Sequence, residues 1–183
     1  MSDLFQGSAA VISPCGIYRY RLERQTEGTG QTVVVMVNPS TADAERDDAT
    51  IRKLKGFGSR NRWGRVIVGN LFAYRATDIR ELANAADPIG PDNDAHLFDM
   101  LAGANQIVFA WGPTAKLPRR LRARWKVIDA MIREIGQRAY SIGAPAKDGH
   151  PCHPLMLPYN LELQQWVHPH DTAMTERVKG RDV

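Results

Sequence analysis

Apolar and polar positions change period several times along the chain, and each change marks an element. Residues 17–22 (IYRYRL) alternate apolar or aromatic side chains with arginine, the period-two pattern of an edge or half-exposed strand. EGTGQ at 27–31 turns the chain, and Thr32 to Val37 is then a continuous, largely β-branched run of the kind found in strands covered on both faces. Ala49 to about Trp63 places Ile51, Leu54 and Phe57 at helical spacing, although Gly56 and Gly58 weaken its second half. RVIVGNL (65–71) and QIVFAW (106–111) read as further buried strands, and Ala139 to Ile142 as a fourth. Between them, residues 78–84 suit a short helix, and PIGPDNDAHLFDMLAGA suits a longer one, with a proline near its start, acids in its first turn and Gly103 at its end. Gly112 starts a turn into helix, and Arg120 to Ile135 gathers Val127, Ile128, Met131, Ile132 and Ile135 on one face.

Strands alternating with helical segments predict an α/β fold, a three-layer αβα sandwich around a central, mainly parallel sheet of about four strands. At 183 residues and 43% hydrophobic, the chain buries one substantial core, so residues 1–166 are expected to form a single domain. The segment 167–183 is polar and aperiodic and is expected to be a disordered tail. In sheets of this type ligands bind beyond the carboxyl ends of the strands. Three unusual segments, NPSTAD, GNLFAYRATD and WGPTAK, each follow a strand directly, so one cleft should gather all three.

Charge adds a little. The net charge of +4 and pI of about 9.3 are compatible with a polyanionic partner but fall short of a dedicated nucleic-acid coat. Basic residues cluster at 52–65 and 116–126, where phosphate contacts and plain solvated helix faces are equally open readings. Arg62, Arg75, Lys116 and Arg119 are the phosphate-contact candidates. No apolar run approaches the ~20 residues that span a bilayer, and the start of the chain lacks a secretion-signal pattern, so a cytoplasmic protein without a membrane partner is expected. Cys15 and Cys152 lie far apart and form no CxxC pair, which argues against a disulfide scaffold or a four-cysteine metal site. No cofactor is implied.

The candidate chemistry sits at the strand ends. Asn38-Pro39-Ser40-Thr41 halts a buried strand with a residue that cannot continue the ladder, then offers two hydroxyls and backbone N–H groups to a phosphate or a water. A plain turn is the alternative. Of the acids that follow, Asp47 or Asp48 is expected to cap the next helix, and Asp43 is kept as a catalytic candidate. Asn70, at the end of an apolar strand, carries an amide that donates and accepts together, as reading a base edge requires. Phe72 and Tyr74 alternate beyond it, one a potential stacking platform, with a core place for both as the plainer reading. HPCHPL (150–155) holds two of the five histidines in a proline-stiffened loop, where His150 or His153 can be presented to a substrate. Zinc ligation by these groups and Cys152 is weakly supported, since the prolines restrict convergence. A Ser-His-Asp hydrolase lacks its GxSxG elbow.

The order of NPSTAD, GNLFAYRATD, WGPTA and KDGHPCHPL resembles the bacterial and phage family DUF1643, from CGIYRY to HPLMLP. That family has no established activity. More distantly, the same order is similar to the uracil-DNA glycosylase superfamily. That likeness implies a uracil-DNA glycosylase-like fold, with Asn38 as the water-orienting asparagine, Asn70 as the base reader and His153 as the histidine of the last motif. Met36 and Ser40 depart from the glycines expected there, and His150-Pro151 competes with His153-Pro154 for that motif. The implied activity is N-glycosidic hydrolysis of a base in DNA or a nucleotide. A non-catalytic nucleotide-binding or nucleic-acid-binding module and a metal-dependent hydrolase are the rivals.

Overall fold

The β-branched run expected to be central lies at the middle of a seven-stranded sheet. The computed structural model describes residues 7–167, and the expected C-terminal tail lies outside them but for Val167. In chain order the strands are β1 (Ser8–Ile12), β2 (Arg19–Gln25), β3 (Thr29–Met36), β4 (Trp63–Asn70), β5 (Gln106–Phe109), β6 (Ala139–Ile142) and β7 (Leu163–Gln165). Their order in the sheet is β1-β2-β4-β3-β5-β6-β7. The fold is α/β, but the sheet corrects the expected one of about four mainly parallel strands. It has seven, and three of its six pairings, β1 with β2, β2 with β4 and β6 with β7, are antiparallel. The parallel pairings join β4, β3, β5 and β6.

Three helices cover the faces: α1 (Ala49–Arg60), α2 (Asn93–Ala102) and α3 (Trp125–Glu134). Alternation along β3 divides the core. Val33 and Val35 pack with Leu97, Leu101, Ile128 and Ile132 of α2 and α3, whereas Val34 and Met36 pack with Ile51, Leu54 and Phe57 of α1. Asp48 starts α1 by accepting a hydrogen bond from the Ile51 N–H at 2.8 Å, a cap worth about 1 kcal/mol. Gly56, a weak helix former, stands where a Cβ would come within 2.6 Å of the Tyr159 ring. Packing overrides propensity there.

Several boundaries moved. β2 is no edge strand, because β1, which carries no period-two signal, pairs along its outer side, and its buried Arg19 and Arg24 bond to the 42–47 loop. Helix α1 ends at Arg60 instead of near Trp63, since Asn61 and Arg62 (φ 57°) turn the chain into β4. The helices expected from Arg120 and from the 88–104 segment begin later, at Trp125 and Asn93, with a 3-10 turn at Arg119–Leu121 preceding the first. Among the described residues no helix is long and apolar enough to cross a membrane.

Candidate functional site

β3, β4 and β5 are parallel neighbours, so their carboxyl ends deliver NPSTAD, GNLFAYRATD and WGPTAK to one side of the sheet. The loops knit together: the N–H groups of Leu71, Phe72 and Ala76 donate to the carbonyls of Met36, Val37 and Pro39 at 2.8, 2.9 and 3.0 Å. Between the loops and the start of α1 lies a cleft of about 300 Å³. Of the expected site residues it gathers Asn38, Ser40, Asn70, Lys116 and His153; Arg19 and Asp48 line it as well.

Asn70 closes β4 with 1% of its surface exposed. Its carbonyl is held by Asn93 Nδ2 at 3.1 Å, and the next carbonyl, of Leu71, by Arg124 Nε at 3.0 Å, so α2 and the start of α3 fix the strand end. Its side-chain Nδ2 has no partner. An orphaned buried donor costs about 1–3 kcal/mol unless a ligand satisfies it. Asn38 is the reverse case. Its Nδ2 donates to the Ala76 carbonyl at 2.7 Å and the Pro39 carbonyl at 3.0 Å, which fixes the amide and leaves Oδ1 as the acceptor.

His153 Nδ1 accepts from the Leu155 N–H at 3.3 Å. The neutral ring therefore carries its proton on Nε2, as a donor. Withdrawal from water, with the Lys116 ammonium adding to it and Asp48 opposing, holds its pKa below the ordinary imidazole range. Gly112 (φ +78°) lets the WGPTA turn pass close to this histidine, since a Cβ there would lie 3.3 Å from His153 Cβ.

Asp48 caps α1 through Oδ1, and its Oδ2 makes no hydrogen bond within the described residues. The preceding loop is tied down by buried Arg24, whose Nε meets Asp47 Oδ1 at 2.6 Å and whose Nη2 donates to the Asp43 carbonyl at 2.5 Å. Arg19, 3% exposed, donates from Nη1 to the Ala42 carbonyl. Burial, only partly offset by Asp48, pushes its guanidinium down to about 10, which leaves it charged at neutral pH.

Other expected site residues lie elsewhere. Phe72 is fully buried in the core beside α2, so it offers no stacking face. Tyr74 packs partly buried against that core and edge-on to Tyr18. Asp43 builds its own loop: its carboxylate accepts from the Arg46 and Glu45 N–H groups at 2.8 and 3.0 Å, which together hold its pKa below the usual range. Thr41 is exposed and outside the cleft lining. His150 is buried, with Trp111 Nε1 donating to its Nδ1 at 3.5 Å and Trp125 edge-on, so His153 alone of the pair lines the cleft. Arg62 precedes β4 and sits at the opposite end of the sheet. Arg75 donates to the Gly16 carbonyl at 3.1 Å, and Arg119 is exposed but off the cleft.

The second basic run is largely spent on backbone: Arg120 donates to the Ala83 carbonyl, Arg122 to those of Leu117 and Ala115, and Arg124 to that of Leu71. Cys152 Sγ lies 3.7 Å from the Ala144 carbonyl, and among the described residues no three His, Cys, Asp or Glu side chains converge as metal ligands.

Sequence reasoning missed Arg19 and the presence of Asp48 in the cleft. Asp48 was legible as a cap, and the N-terminus of a helix that begins at a strand end faces the same cleft. Arg19 occupies a polar position of the alternating IYRYRL run, and its buried contact is with Ala42, 23 residues further on, which local pattern does not show. No curated protein and no solved structure matches the chain. Residues 19–155 match the family model DUF1643, a protein of unknown function, and the chain belongs to that family.

Proposed function

We propose that this chain is a glycosylase-like N-glycosidase that binds a base of DNA or of a nucleotide in the cleft and hydrolyses its glycosidic bond. The carrying observation is Asn70: an amide donor, almost fully buried, unpartnered and in the cleft wall. Such a group is satisfied by a ligand acceptor, and a base edge supplies one. The order of strand-end motifs, similar to that of the uracil-DNA glycosylase superfamily, supports the same reading.

The cleft residues suit the reaction. As the C–N bond breaks, its electron pair goes to the base, and His153 Nε2–H stabilises the negative charge there by hydrogen bonding. A neutral imidazole with a fixed tautomer is suited to that task. Water attacks the sugar carbon; Asn38 Oδ1 orients it and Asp48 Oδ2 takes its proton. Asparagine is too weak a base to act alone, and Asp48 supplies the missing carboxylate.

Single-stranded and mismatched oligonucleotides bearing uracil, hypoxanthine or modified pyrimidines, and the matching free nucleotides, provide the assay. Base release that falls at least about tenfold in Asn70→Ala is the expected result. Absence of any released base at stoichiometric protein contradicts the catalytic reading. A second reading, binding without catalysis, draws on Asp48 being engaged as a helix cap. It predicts salt-sensitive binding that persists in Asn38→Ala and His153→Ala.

A further inference from the structure

Arg19 is a buried cation without a direct ion pair, although the fields of Asp48 and Asp43 partly offset its burial. It is 3% exposed and lines the cleft, yet among the described residues no carboxylate pairs with it, whereas buried Arg24 and Arg124 each have one, Asp47 and Asp94. Nη1 is engaged by the Ala42 carbonyl. Nε has no partner, and Nη2 makes no hydrogen bond within the described residues. These two nitrogens form the edge of a guanidinium that grips an oxyanion with parallel hydrogen bonds. A buried charge left unpaired is costly, and an anionic ligand relieves that cost.

The surroundings favour an anion. Lys116 lines the same cleft, and so does the first turn of α1, a twelve-residue helix whose N-terminus carries partial positive charge. Against these stands one carboxylate, Asp48, itself bound to the Ile51 N–H. The cleft is of a size for a single nucleotide, at the lower end of small-ligand sites.

We propose that Arg19 is the phosphate-binding residue of the cleft, so that the substrate is a phosphorylated nucleoside whose phosphate enters the cleft beside the base. This rests on the nucleotide reading above, but Arg19 and Asn70 are separate groups and are tested separately. The shared chemistry is a nucleotide phosphate, from a free nucleoside monophosphate or from one nucleotide of a strand.

Calorimetric titration at constant ionic strength compares inorganic phosphate, free bases, nucleosides, the matching 5′-monophosphates and a short single strand. Phosphate is expected to bind where chloride does not, and monophosphates to bind about tenfold or more tightly than nucleosides. Arg19→Gln abolishes that preference, and Arg19→Lys retains part of it. Monophosphate outcompeting the strand identifies the free nucleotide as the source; the reverse order identifies the polymer. Equal affinity for nucleoside and monophosphate, or a preference that survives Arg19→Gln, overturns the proposal. If Arg19→Gln does not fold, crystals of the unmodified protein soaked in phosphate decide: density on Arg19 supports it, and density elsewhere or none overturns it. Base binding that depends on Asn70 without any phosphate preference sinks this proposal alone. Phosphate bound on Arg19 with no affinity for any base or nucleoside sinks the glycosidase reading alone.

Discussion

Six described side chains hold a buried polar atom without a hydrogen-bond partner, and two of them, Arg19 through Nε and Asn70 through Nδ2, line the cleft. On the proposed reading, a ligand in that shared cleft supplies the acceptors these two donors lack. Asp48 caps α1 and, on the proposed mechanism, takes the proton of the attacking water, and the two roles separate by substitution: Asn caps a helix about as well as Asp but cannot take a proton. Asp48→Asn is therefore expected to keep the helix cap and to cost about 1 kcal/mol in urea denaturation, from the lost attraction to buried Arg19, while lowering base release by at least about tenfold. Base release unchanged in the folded variant contradicts the assignment. At this scale the sequence was partly legible. Asn38, Ser40, Asn70 and Lys116 follow from the rule that ligands meet strand ends, His153 from the proline-stiffened HPCHPL loop, and all five line the cleft. Phe72, from the same loop, lies in the core, the plainer of the two readings its position offered: β4 ends at Asn70, so strand alternation no longer sets the direction of its side chain.

Among the elements, the α1 entry loop and the WGPTA turn set the site's geometry. Asp47 compensates buried Arg24 and also meets Lys55 at 3.0 Å. Asp47→Ala strips a nearly buried guanidinium of its carboxylate and is expected to cost about 3 kcal/mol, read as a lower urea midpoint at unchanged slope. Gly112→Ala places a side chain at φ +78° beside His153. About 1–2 kcal/mol of strain is expected, with base release falling by more than the stability loss explains because the histidine is displaced. The central strands were legible from their β-branched runs. Strands β1 and β7 were not, since five and three residues without alternation carry no periodic signal. The absence of β1 from the expectation turned β2 into an edge.

For the whole molecule, the balance of charge around the cleft fixes how activity depends on pH. On the proposed mechanism His153 acts as a neutral donor, and its lowered pKa keeps the ring neutral to more acid pH than an ordinary imidazole. Base release is expected to fall on the acid side at a lower pH than an ordinary imidazole would give, as the ring gains a proton. In His153→Asn, which donates without titrating in that range, this acid decline shifts or disappears while the overall rate drops. The pH profile of the two proteins under single-turnover conditions checks this.

The central claim is that the cleft reads a base through Asn70, and a crystal structure of the protein with a bound nucleobase or nucleotide tests it most directly. A base is expected in the cleft with an acceptor about 3 Å from Asn70 Nδ2, in hydrogen-bond reach of His153. A base bound elsewhere, or a cleft empty at saturating ligand, contradicts it.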